Sequence, residues 1–529
     1  MRSSDHRRSA RISRRRRATS RHAKQPQPAF HHQPNQKDTI ISPSLEENQN
    51  RLKAIFQDCD DMIIRPLKKQ QSKSLIVFFK SMVDQQIVDR DVLKPLTEID
   101  GPLTIETAFD HMCVANLQIV EDWQEIVRRL PYGFLALLVD GEEKAILAEV
   151  TGFETRSISA PEREVVVRGP DEAFTENVEI TLSQIRRRLP VPELKVKQFI
   201  IGRTSHTRVL LFYLDGIVNQ DVLEEMMERL KQVDLDVLND GNKLQQFISD
   251  NPLSPFPQML STERPDRAVY ELNRGKVVLA VNGTPNVLIA PHVLVDGFVT
   301  MEDYYHHFLF TSAVRLLRYI NIVISLLGPS VYIALTTFHI EALPTSLLIN
   351  LAAAREAVPF PALIEALLME IAIETLREAG IRLPRAVGQA ISIVGALIIG
   401  QAAVDAGLVS QAMVVVVAIT GIAGFSTPYY ETGITLRLLR FPIMFLSAVL
   451  GMYGVLFGTI AILIHLSHLR SIGVPYLAPI TPTVWRDWKN VFWLSPLYNH
   501  PYRSILVENN RRRLKKAAPV PRDPRRQEE

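Results

Sequence analysis

Four ionisable residues within an otherwise apolar stretch are the first feature of this chain that suggests chemistry. The stretch PALIEALLMEIAIETLREAG contains Glu365, Glu370, Glu374 and Arg377. At about 100° per residue of an α-helix, Glu370 and Glu374 lie about 40° apart, whereas Glu365 projects to the other side. Arg377 follows Glu374 by three residues, so the two side chains can pair. Two interpretations are open: an interfacial amphipathic helix with a paired polar face, or a re-entrant or pore-adjacent helix whose carboxylates meet water and cations.

Apolar runs of membrane-spanning length surround this helix, which its proline and glycine place at about 359–380. Each run approaches or exceeds the ~20 residues that cross a hydrocarbon core of ~30 Å. The runs are Ile320–Ile340, Ala386–Val404, Leu408–Phe425 and Pro442–Leu466. We expect a transmembrane domain over 311–482, with about four full spans plus the re-entrant or interfacial helix, and otherwise nearly free of charge at membrane depth.

Two features of these runs concern movement and packing. Pro329 interrupts the first run, removes a backbone donor and frees an upstream carbonyl, which predicts a structural kink or a gating hinge. In the last run Gly451, Gly454 and Gly458 follow one another at spacings of three and four residues, which predicts that they share one helix face. Small faces allow close helix contact, either within one subunit or between copies.

The residues before the first run are typical of a water-soluble α/β or α+β domain. The turn signals Asp140-Gly141 and Asn282-Gly283 each separate two β-rich runs. We predict two lobes, 44–170 and 171–310, in a cytoplasmic domain that precedes an all-α multi-pass membrane domain. The predicted elements include strands at Ser74–Lys80, Phe134–Val139, Ala145–Val150, Lys195–Ile201 and Arg208–Tyr213, a helix at Asp171–Arg188 capped by Asp171, and a further strand at Glu164–Val167.

Basic residues are concentrated at the two ends of the chain, although the net charge of the 529 residues is only +3. Residues 1–43 form a tail centred on Arg14–Arg17, without the apolar core of a secretory signal, and 483–529 form a second basic tail. We expect the first tail to be disordered and to contact anionic lipid headgroups. A nucleic-acid role is the weaker interpretation, because no aromatic residue interleaves the arginines.

The positive-inside rule predicts the orientation of the chain. Arg315 and Arg318 precede the first apolar run, and Arg470 and Lys489 follow the last. Both ends are therefore expected on the cytoplasmic side, which requires an even number of crossings.

Motifs of catalysis and cofactor binding are absent from the sequence. It contains no phosphate loop, no GxGxxG after a strand, no GxSxG elbow and no HExxH. The two cysteines, Cys59 and Cys113, lie far apart without metal-ligand spacing and are interpreted as free thiols in a reducing compartment. We expect neither enzymatic activity nor a cofactor nor a metal.

Several strings together resemble the A-subunit family of spore germination receptors (GerA type), over roughly Leu75 to Pro482. They are STERPD at Ser261–Asp266, GKVV at Gly275–Val278, NGTP at Asn282–Pro285, EDYY at Glu302–Tyr305, the block Pro359–Ser410 and SIGVPYLAP at Ser471–Pro479. The resemblance implies a subunit of a nutrient germinant receptor in the inner membrane of a bacterial spore. It also implies a transporter-like B subunit and a C lipoprotein as partners, and an oligomer, by resemblance a pentamer, that forms a nutrient-gated ion channel. Stage V sporulation AF-like proteins, which share the fold, are the alternative within the family.

Three functional hypotheses follow. The chain is a receptor or channel subunit, a secondary transporter, or a membrane scaffold that docks partners. The second is disfavoured because repeated halves with paired broken helices are not visible. For the first, Glu370, Glu374, Arg377 and Pro329 are the candidate pore and gating residues, and Gly451, Gly454 and Gly458 the candidate packing residues.

Overall fold

The computed structural model describes residues 39–494, except for gaps at 70–71, 153–160, 162–163, 384–394, 396–397, 482, 484 and 486–490. Three parts follow one another along the described chain: a first lobe, a second lobe and a helical part. Most of the two predicted basic tails lies outside the described residues.

The first lobe is an antiparallel sheet with strands in the order β1-β2-β4-β5-β3. The strands are β1 (Met62–Lys69), β2 (Ser72–Phe79), β3 (Leu117–Val120), β4 (Phe134–Val139) and β5 (Ala145–Glu149). The helices are α1 (Leu45–Ile55), α2 (Gln85–Ile87), α3 (Lys94–Glu98), α4 (Ile105–His111) and α5 (Trp123–Arg129), with a π-helical segment, Val88–Leu93, between α2 and α3. The central strand β4 is buried along its whole length, because an apolar core covers each face of the sheet.

The second lobe has an antiparallel sheet in the order β6-β7-β9-β10-β8. The strands are β6 (Leu194–Ile201), β7 (Thr207–Leu214), β8 (Leu260–Thr262), β9 (Val277–Val281) and β10 (Val287–Ala290). The helices are α6 (Val178–Arg188), α7 (Gln220–Gln232), α8 (Gly241–Ile248) and α9 (Pro265–Leu272). Here too the central strand is buried between two apolar cores.

The two lobes repeat one topology. Each sheet has the same strand order, and in each lobe one helix precedes the last hairpin, α5 before β4 and α9 before β9. The sequences of these segments match without insertion: Gly133 and Gly275 both have positive φ before the strand, and Gly141 and Gly283 both have positive φ in the turn. Both predicted turns are confirmed, since β4 pairs with β5 and β9 with β10. The repeat itself was not predicted.

A buried ion pair joins the lobes. The Arg186 guanidinium on α6 donates from Nε and Nη2 to the two carboxylate oxygens of Asp61, at 2.8 and 2.9 Å. Its Cζ atom lies over the ring of Phe79, 4.1 Å from the ring centre. Backbone hydrogen bonds from residues 58–60 to Val196 continue the contact along the edge strand β6. The edge of the second sheet is therefore covered by the first lobe.

Two sequence predictions in this region are wrong. Glu164–Val167 is not a strand. The helix expected from Asp171 begins instead at Val178, because Asn177 caps it by accepting a hydrogen bond from the Glu179 N–H. Strands β1 and β3 were missed, since both lie at sheet edges, where proline and lysine are tolerated and the apolar pattern is weak.

The helical part follows the second lobe. Its helices are α10 (Phe308–Thr337), α11 (Thr345–Glu356), α12 (Ala362–Arg382), α13 (described over 398–405), α14 (Gln411–Gly424), α15 (Tyr430–Leu450) and α16 (Met452–His468). Among the described residues, α10 and α15 are long and apolar enough to cross a membrane by length and composition, and α14 and α16 are shorter apolar helices.

The predicted last span is wrong. The run Pro442–Leu466 is not one helix: α15 ends at Leu450 and α16 begins at Met452, with Gly451 at φ +62° between them. Hydropathy does not detect this reversal of chain direction, because a tight turn at a single glycine leaves the apolar run unbroken. Most of the predicted span Ala386–Val404 lies outside the described residues.

Contacts define the direction of the outer helices. The first turns of α10 lie next to the second lobe, whereas its end lies next to the α15–α16 turn, where the Met452 N–H donates to His339 at 3.2 Å. Helix α16 runs back, and near its end the His465 ring lies 2.8 Å from the Ser254 hydroxyl of the second lobe. The helical part therefore begins and ends beside the second lobe.

Candidate functional site

Helix α12, which carries the candidate acidic residues, packs lengthwise among the other helices. It begins directly after Pro361 and buries Met369 against Met413 of α14 and Met444 of α15. Along α12, Glu370 pairs with Arg440 of α15 and Glu374 pairs with Arg437, so the residue numbers rise on α12 and fall on α15. The predicted helix at 359–380 is thus present, antiparallel to α15.

Glu370 is enclosed by the chain. Its side chain is 5% exposed and its Oε2 accepts a hydrogen bond from Nη1 of Arg440 at 2.5 Å. Nε of Arg440 also donates to the backbone carbonyl of Ser325, at 2.8 Å. That carbonyl lies four residues before Pro329, which has no N–H to donate to it. The carbonyl freed by the proline is therefore satisfied by an arginine from another helix.

Glu374 lies one turn further along α12 and bonds two arginines. It accepts from Arg377 at 3.0 Å, so the pair that the spacing allows is present, and forms an ion pair with Arg437 at 3.2 Å. Arg377 also lies over the ring of Phe425, 5.4 Å from its centre. We call Glu370, Glu374, Arg377, Arg437 and Arg440 the arginine–glutamate cluster.

Glu365, on the other side of α12 as predicted, anchors the start of α14. Its Oε2 accepts from the Ser410 N–H at 2.8 Å, and Arg355 lies 3.6 Å from its Oε1. A carboxylate at a helix N-terminus is favoured by the exposed N–H groups there. This glutamate therefore fixes the contact between α12 and α14.

An open groove follows the outer side of α12. Its lining includes Ile371, Glu374, Thr375 and Glu378 of α12 and Phe441 of α15. Of the four acidic residues of the helix, Glu374 and Glu378 reach the groove. Glu370, the first candidate from sequence, points away from it into the chain.

The candidate packing glycines contact helix α15 of the same chain. A side-chain carbon at Gly454 would lie 2.0 Å from the Leu446 carbonyl oxygen, and one at Gly458 would lie 3.2 Å from Ile443. Gly451 does not share this face, because it forms the turn before α16. The close helix approach is therefore present within one subunit.

A second group of buried charges lies in the second lobe, and we call it the junction network. Lys276 Nζ lies 2.9 Å from Glu271 and 2.5 Å from Asp296. Arg274 bridges the same two carboxylates at 3.1 and 2.9 Å, and Arg267 pairs with Glu271 at 2.7 Å. Three cations thus surround two carboxylates, and all five side chains except the partly exposed Arg274 are buried.

Charge and burial shift the pKa values at the junction network. Burial acts to raise the pKa of Glu271, but the charges of Arg274, Lys276 and Arg267 outweigh it and leave the pKa below its usual value. The pKa of Asp296 is lowered in the same way. Burial lowers the pKa of the neighbouring His292 to about 3. His292 is therefore neutral at physiological pH, and both carboxylates are ionised.

The junction network connects to the helical part through one carbonyl. Val299 O accepts from Nη1 of Arg267 at 3.0 Å and from the hydroxyl of Tyr429, just before α15, at 3.2 Å. This carbonyl therefore links α9 of the second lobe to the residue that precedes α15.

Helices α10 and α16 are attached to the second lobe separately. Asp303 binds Arg315 and Arg318 in the first turns of α10, at 2.9 and 3.0 Å. After α16, Ser471 accepts from the His292 N–H at 2.9 Å, and Ile472 is buried in a core of the second lobe. The second lobe therefore holds both ends of the helical part.

Arg437 and Arg440 were not predicted. The apolar region was expected to be nearly free of charge, and the last predicted run began at Pro442, after both arginines. The signal was an Arg-x-x-Arg spacing before a proline in TLRLLRFPI, which places both guanidinium groups on one helix face. In the described residues, no group of three or more His, Cys, Asp or Glu side chains is arranged to hold a metal ion.

Fold and site together define a class of protein: a duplicated α/β domain whose second lobe is bonded to a set of apolar helices with buried ion pairs. The model of the Bacillus/Clostridium GerA spore germination protein family matches residues 50–505. The chain belongs to this family.

Two relatives are similar to this chain along most of its length. Spore germination protein KA of Bacillus subtilis (strain 168) is 39% identical over 92% of each chain. The uncharacterized membrane protein YfkQ of the same organism is 36% identical over 87% of this chain and 90% of its own. Among solved structures, the N-terminal domain of the A subunit of the Bacillus megaterium spore germinant receptor GerK3 matches 48% of this chain and 98% of its own, with 26% identity and a TM-score of 0.37.

Proposed function

We propose that the chain is the A subunit of a nutrient germinant receptor and that several copies form a nutrient-gated ion channel, by family resemblance a pentamer. The observation that carries the proposal is the groove on α12, where Glu374 and Glu378 are accessible beside the buried Arg440–Glu370 pair of the arginine–glutamate cluster. Carboxylates that line a narrow, water-filled path attract cations and repel anions. No covalent chemistry is needed, so the proposed action is not enzymatic.

The groove carboxylates replace Glu370 as candidates for the conduction path. Glu370 is bonded to Arg440 and faces the interior of its own chain. We propose that it controls the arrangement of α12, whereas Glu374 and Glu378 contribute charge at the path. Arg377 and Arg437 hold Glu374 in place.

We propose that residues 311–482 form a multi-pass domain of the spore inner membrane. The apolar helices α10 and α15 and the name of the membrane-protein relative support this. The two ends of the helical part lie beside the second lobe, which supports an even number of crossings. The basic residues of the two tails and the flanking Arg315, Arg318 and Arg470 support the core side for both chain ends. The proposed lobes at 44–170 and 171–310 lie on that side too. The transporter-like B subunit and the C lipoprotein are the proposed partners.

Planar-bilayer recording of the purified full chain, alone and with its partners, tests the function. As nutrient probe we would add a mixture of the twenty common amino acids, sugars and nucleosides. A conductance that opens with the mixture supports the channel, solute exchange without conductance indicates a transporter, and neither activity indicates a scaffold. Glu374→Gln and Glu378→Gln should reduce conductance or shift the reversal potential toward weaker cation preference. The exposed second-lobe variant Glu228→Gln is the matched control.

An impermeant thiol reagent tests the orientation. A cysteine introduced at Ser4 or Gln527 should remain unlabelled from outside intact cells and become labelled after permeabilisation. The exposed native Cys113 is first replaced by serine. Labelling of either position from outside would reject the proposed topology.

A further inference from the structure

Arg440 connects three helices through a single guanidinium group. It lies on α15 and donates from Nε to the Ser325 carbonyl of α10 at 2.8 Å, and from Nη2 to the Ser325 hydroxyl at 3.2 Å. Its Nη1 donates to Glu370 of α12 at 2.5 Å. All three side chains are almost fully buried.

Pro329 explains why an arginine is needed at this point. Within a helix, a carbonyl normally accepts from the N–H four residues later, and proline supplies none. A carbonyl left unpaired in an apolar environment is costly. The guanidinium is planar and permanently charged, with five donors, so one edge can satisfy the carbonyl while another pairs with a carboxylate.

The arrangement makes the positions of α10 and α12 depend on each other. If α10 shifts or rotates, the Ser325 carbonyl leaves Arg440. If α12 moves, Glu370 leaves Arg440. The second carboxylate oxygen of Glu370, Oε1, has no hydrogen-bond partner among the described residues. This movement would expose it to new partners. A buried charge separated from its partner is strongly unfavourable, so the two movements should occur together.

We propose that Arg440 is a positioning residue that holds α10 and α12 in the closed arrangement of the receptor, and that its release accompanies opening. The link to the closed and open states rests on the proposed channel function. The mechanical statement, that Arg440 sets the relative position of α10 and α12, is independent of conduction. Pro329 contributes to this contact indirectly, because it has no N–H and so leaves the Ser325 carbonyl available to Arg440.

Pulsed electron paramagnetic resonance on the full chain tests the mechanical statement. Spin labels would be placed at Val323 of α10 and Leu368 of α12, both exposed, in a Cys113→Ser background. We expect one distance in the otherwise unchanged protein and a second, displaced distance in Arg440→Gln. Arg440→Lys, which keeps the charge opposite Glu370, should retain the original distance in most molecules.

Two further variants separate positioning from simple damage to the fold. Pro329→Ala keeps every charge but provides an N–H that competes with Arg440 for the Ser325 carbonyl, so the displaced distance should appear in part of the molecules. The double variant Glu370→Gln/Arg440→Gln removes both charges and leaves none uncompensated, so it should be better ordered than either single variant. Arg203→Gln, at an exposed ion pair of the second lobe, is the matched control and should keep the original distance.

Nutrient-free conductance in planar bilayers tests the link to opening. We expect Arg440→Gln and Pro329→Ala to raise it by about tenfold or more over the unchanged protein, because each favours the released arrangement. Unchanged distances in both variants would overturn the inference, whatever the conductance. If Arg440→Gln cannot be purified, Pro329→Ala decides alone. If distances shift but no protein conducts with any nutrient mixture, the proposed channel function fails and the positioning role stands.

Discussion

Helices α5 and α9 occupy the same place in the two lobes, and each carries a glutamate and an arginine four residues apart. In the first lobe Glu125 and Arg129 pair at 2.7 Å with side chains 22% and 36% exposed. In the second lobe the order is reversed, and Arg267 and Glu271 pair at 2.7 Å with both side chains fully buried. The same spacing on the same scaffold is a solvated surface pair in one lobe and part of a buried network in the other.

The strand that follows shows the same contrast. Directly after the matching glycines, the first lobe has Phe134, which packs in an apolar core, and the second has Lys276, which bonds Glu271 and Asp296. Of the buried charged groups in the described parts of the two lobes, almost all belong to the second; the first has Asp61, which pairs with Arg186 of the second. Apolar alternation is therefore enough to form this topology, and the added buried charges lie where the lobe meets the helices.

The largest expected effect comes from removing one charge of the junction network. Glu271→Gln leaves three buried cations with one carboxylate and should lower the free energy of unfolding by about 3–5 kcal/mol. Glu125→Gln, the matching change in the first lobe, should cost about 0–1 kcal/mol because the pair is partly solvated. Chemical unfolding of the full chain in detergent measures both. Equal losses would show that burial does not distinguish the two lobes.

Breaking the ion pair between the lobes should separate them. Asp61→Asn leaves the buried Arg186 guanidinium without its counter-charge and should cost about 3 kcal/mol at the interface. We expect calorimetry to resolve an earlier transition of the first lobe, and hydrogen exchange to increase at the Val196 amide. Asp234→Asn, at the exposed pair with Arg203, serves as the control and should leave a single transition. A single transition in Asp61→Asn would contradict the linkage.

Acid should destabilise the second lobe before the first. The pKa of His292 is lowered from 6.5 to about 3 by burial, so below pH 6.5 the unfolded chain binds a proton that the folded lobe does not. The burial of the neutral ring therefore lowers the free energy of unfolding only below pH 6.5. As the pH falls from 6.5 to 3, the free energy of unfolding decreases by at most about 1.4 kcal/mol per pH unit. His292→Gln should remove this slope, whereas His111→Gln, at an exposed position of the first lobe, should preserve it. A slope that persists in His292→Gln would contradict the assignment.

The smallest expected difference lies in the two hairpin turns. Gly141 and Gly283 have φ of +86° and +94°, with no atoms within 4 Å of an added side-chain carbon. Replacing either by alanine should cost about 1 kcal/mol through backbone strain alone, and equally in both lobes. Urea titration of the two variants measures this. A clear inequality would indicate that the repeated hairpins are not equivalent.

Much of the fold was predictable where the signal is local. The two turns have Asp-Gly and Asn-Gly pairs, whose residues readily adopt the left-handed backbone conformation of a tight hairpin turn. The strands beside them are short apolar runs. The Glu374–Arg377 pair follows from helix spacing. Predictions failed where local signals compete or are weak: Asn177 capped α6 in place of Asp171, and the edge strands β1 and β3 lack a clear alternation.

Local sequence is enough to predict the division into an α/β part and an apolar helical part, because hydropathy and periodicity are properties of consecutive residues. It is also enough to predict that Pro329 frees a carbonyl, since proline has no N–H. The group that satisfies this carbonyl, and the inward orientation of Glu370, depend on how the helices pack. Arg440 lies 70 residues after Glu370 in the sequence, and the two residues are in contact because α12 and α15 pack antiparallel beside α10. Pairings between distant residues depend on packing geometry, which spacing along one helix does not contain.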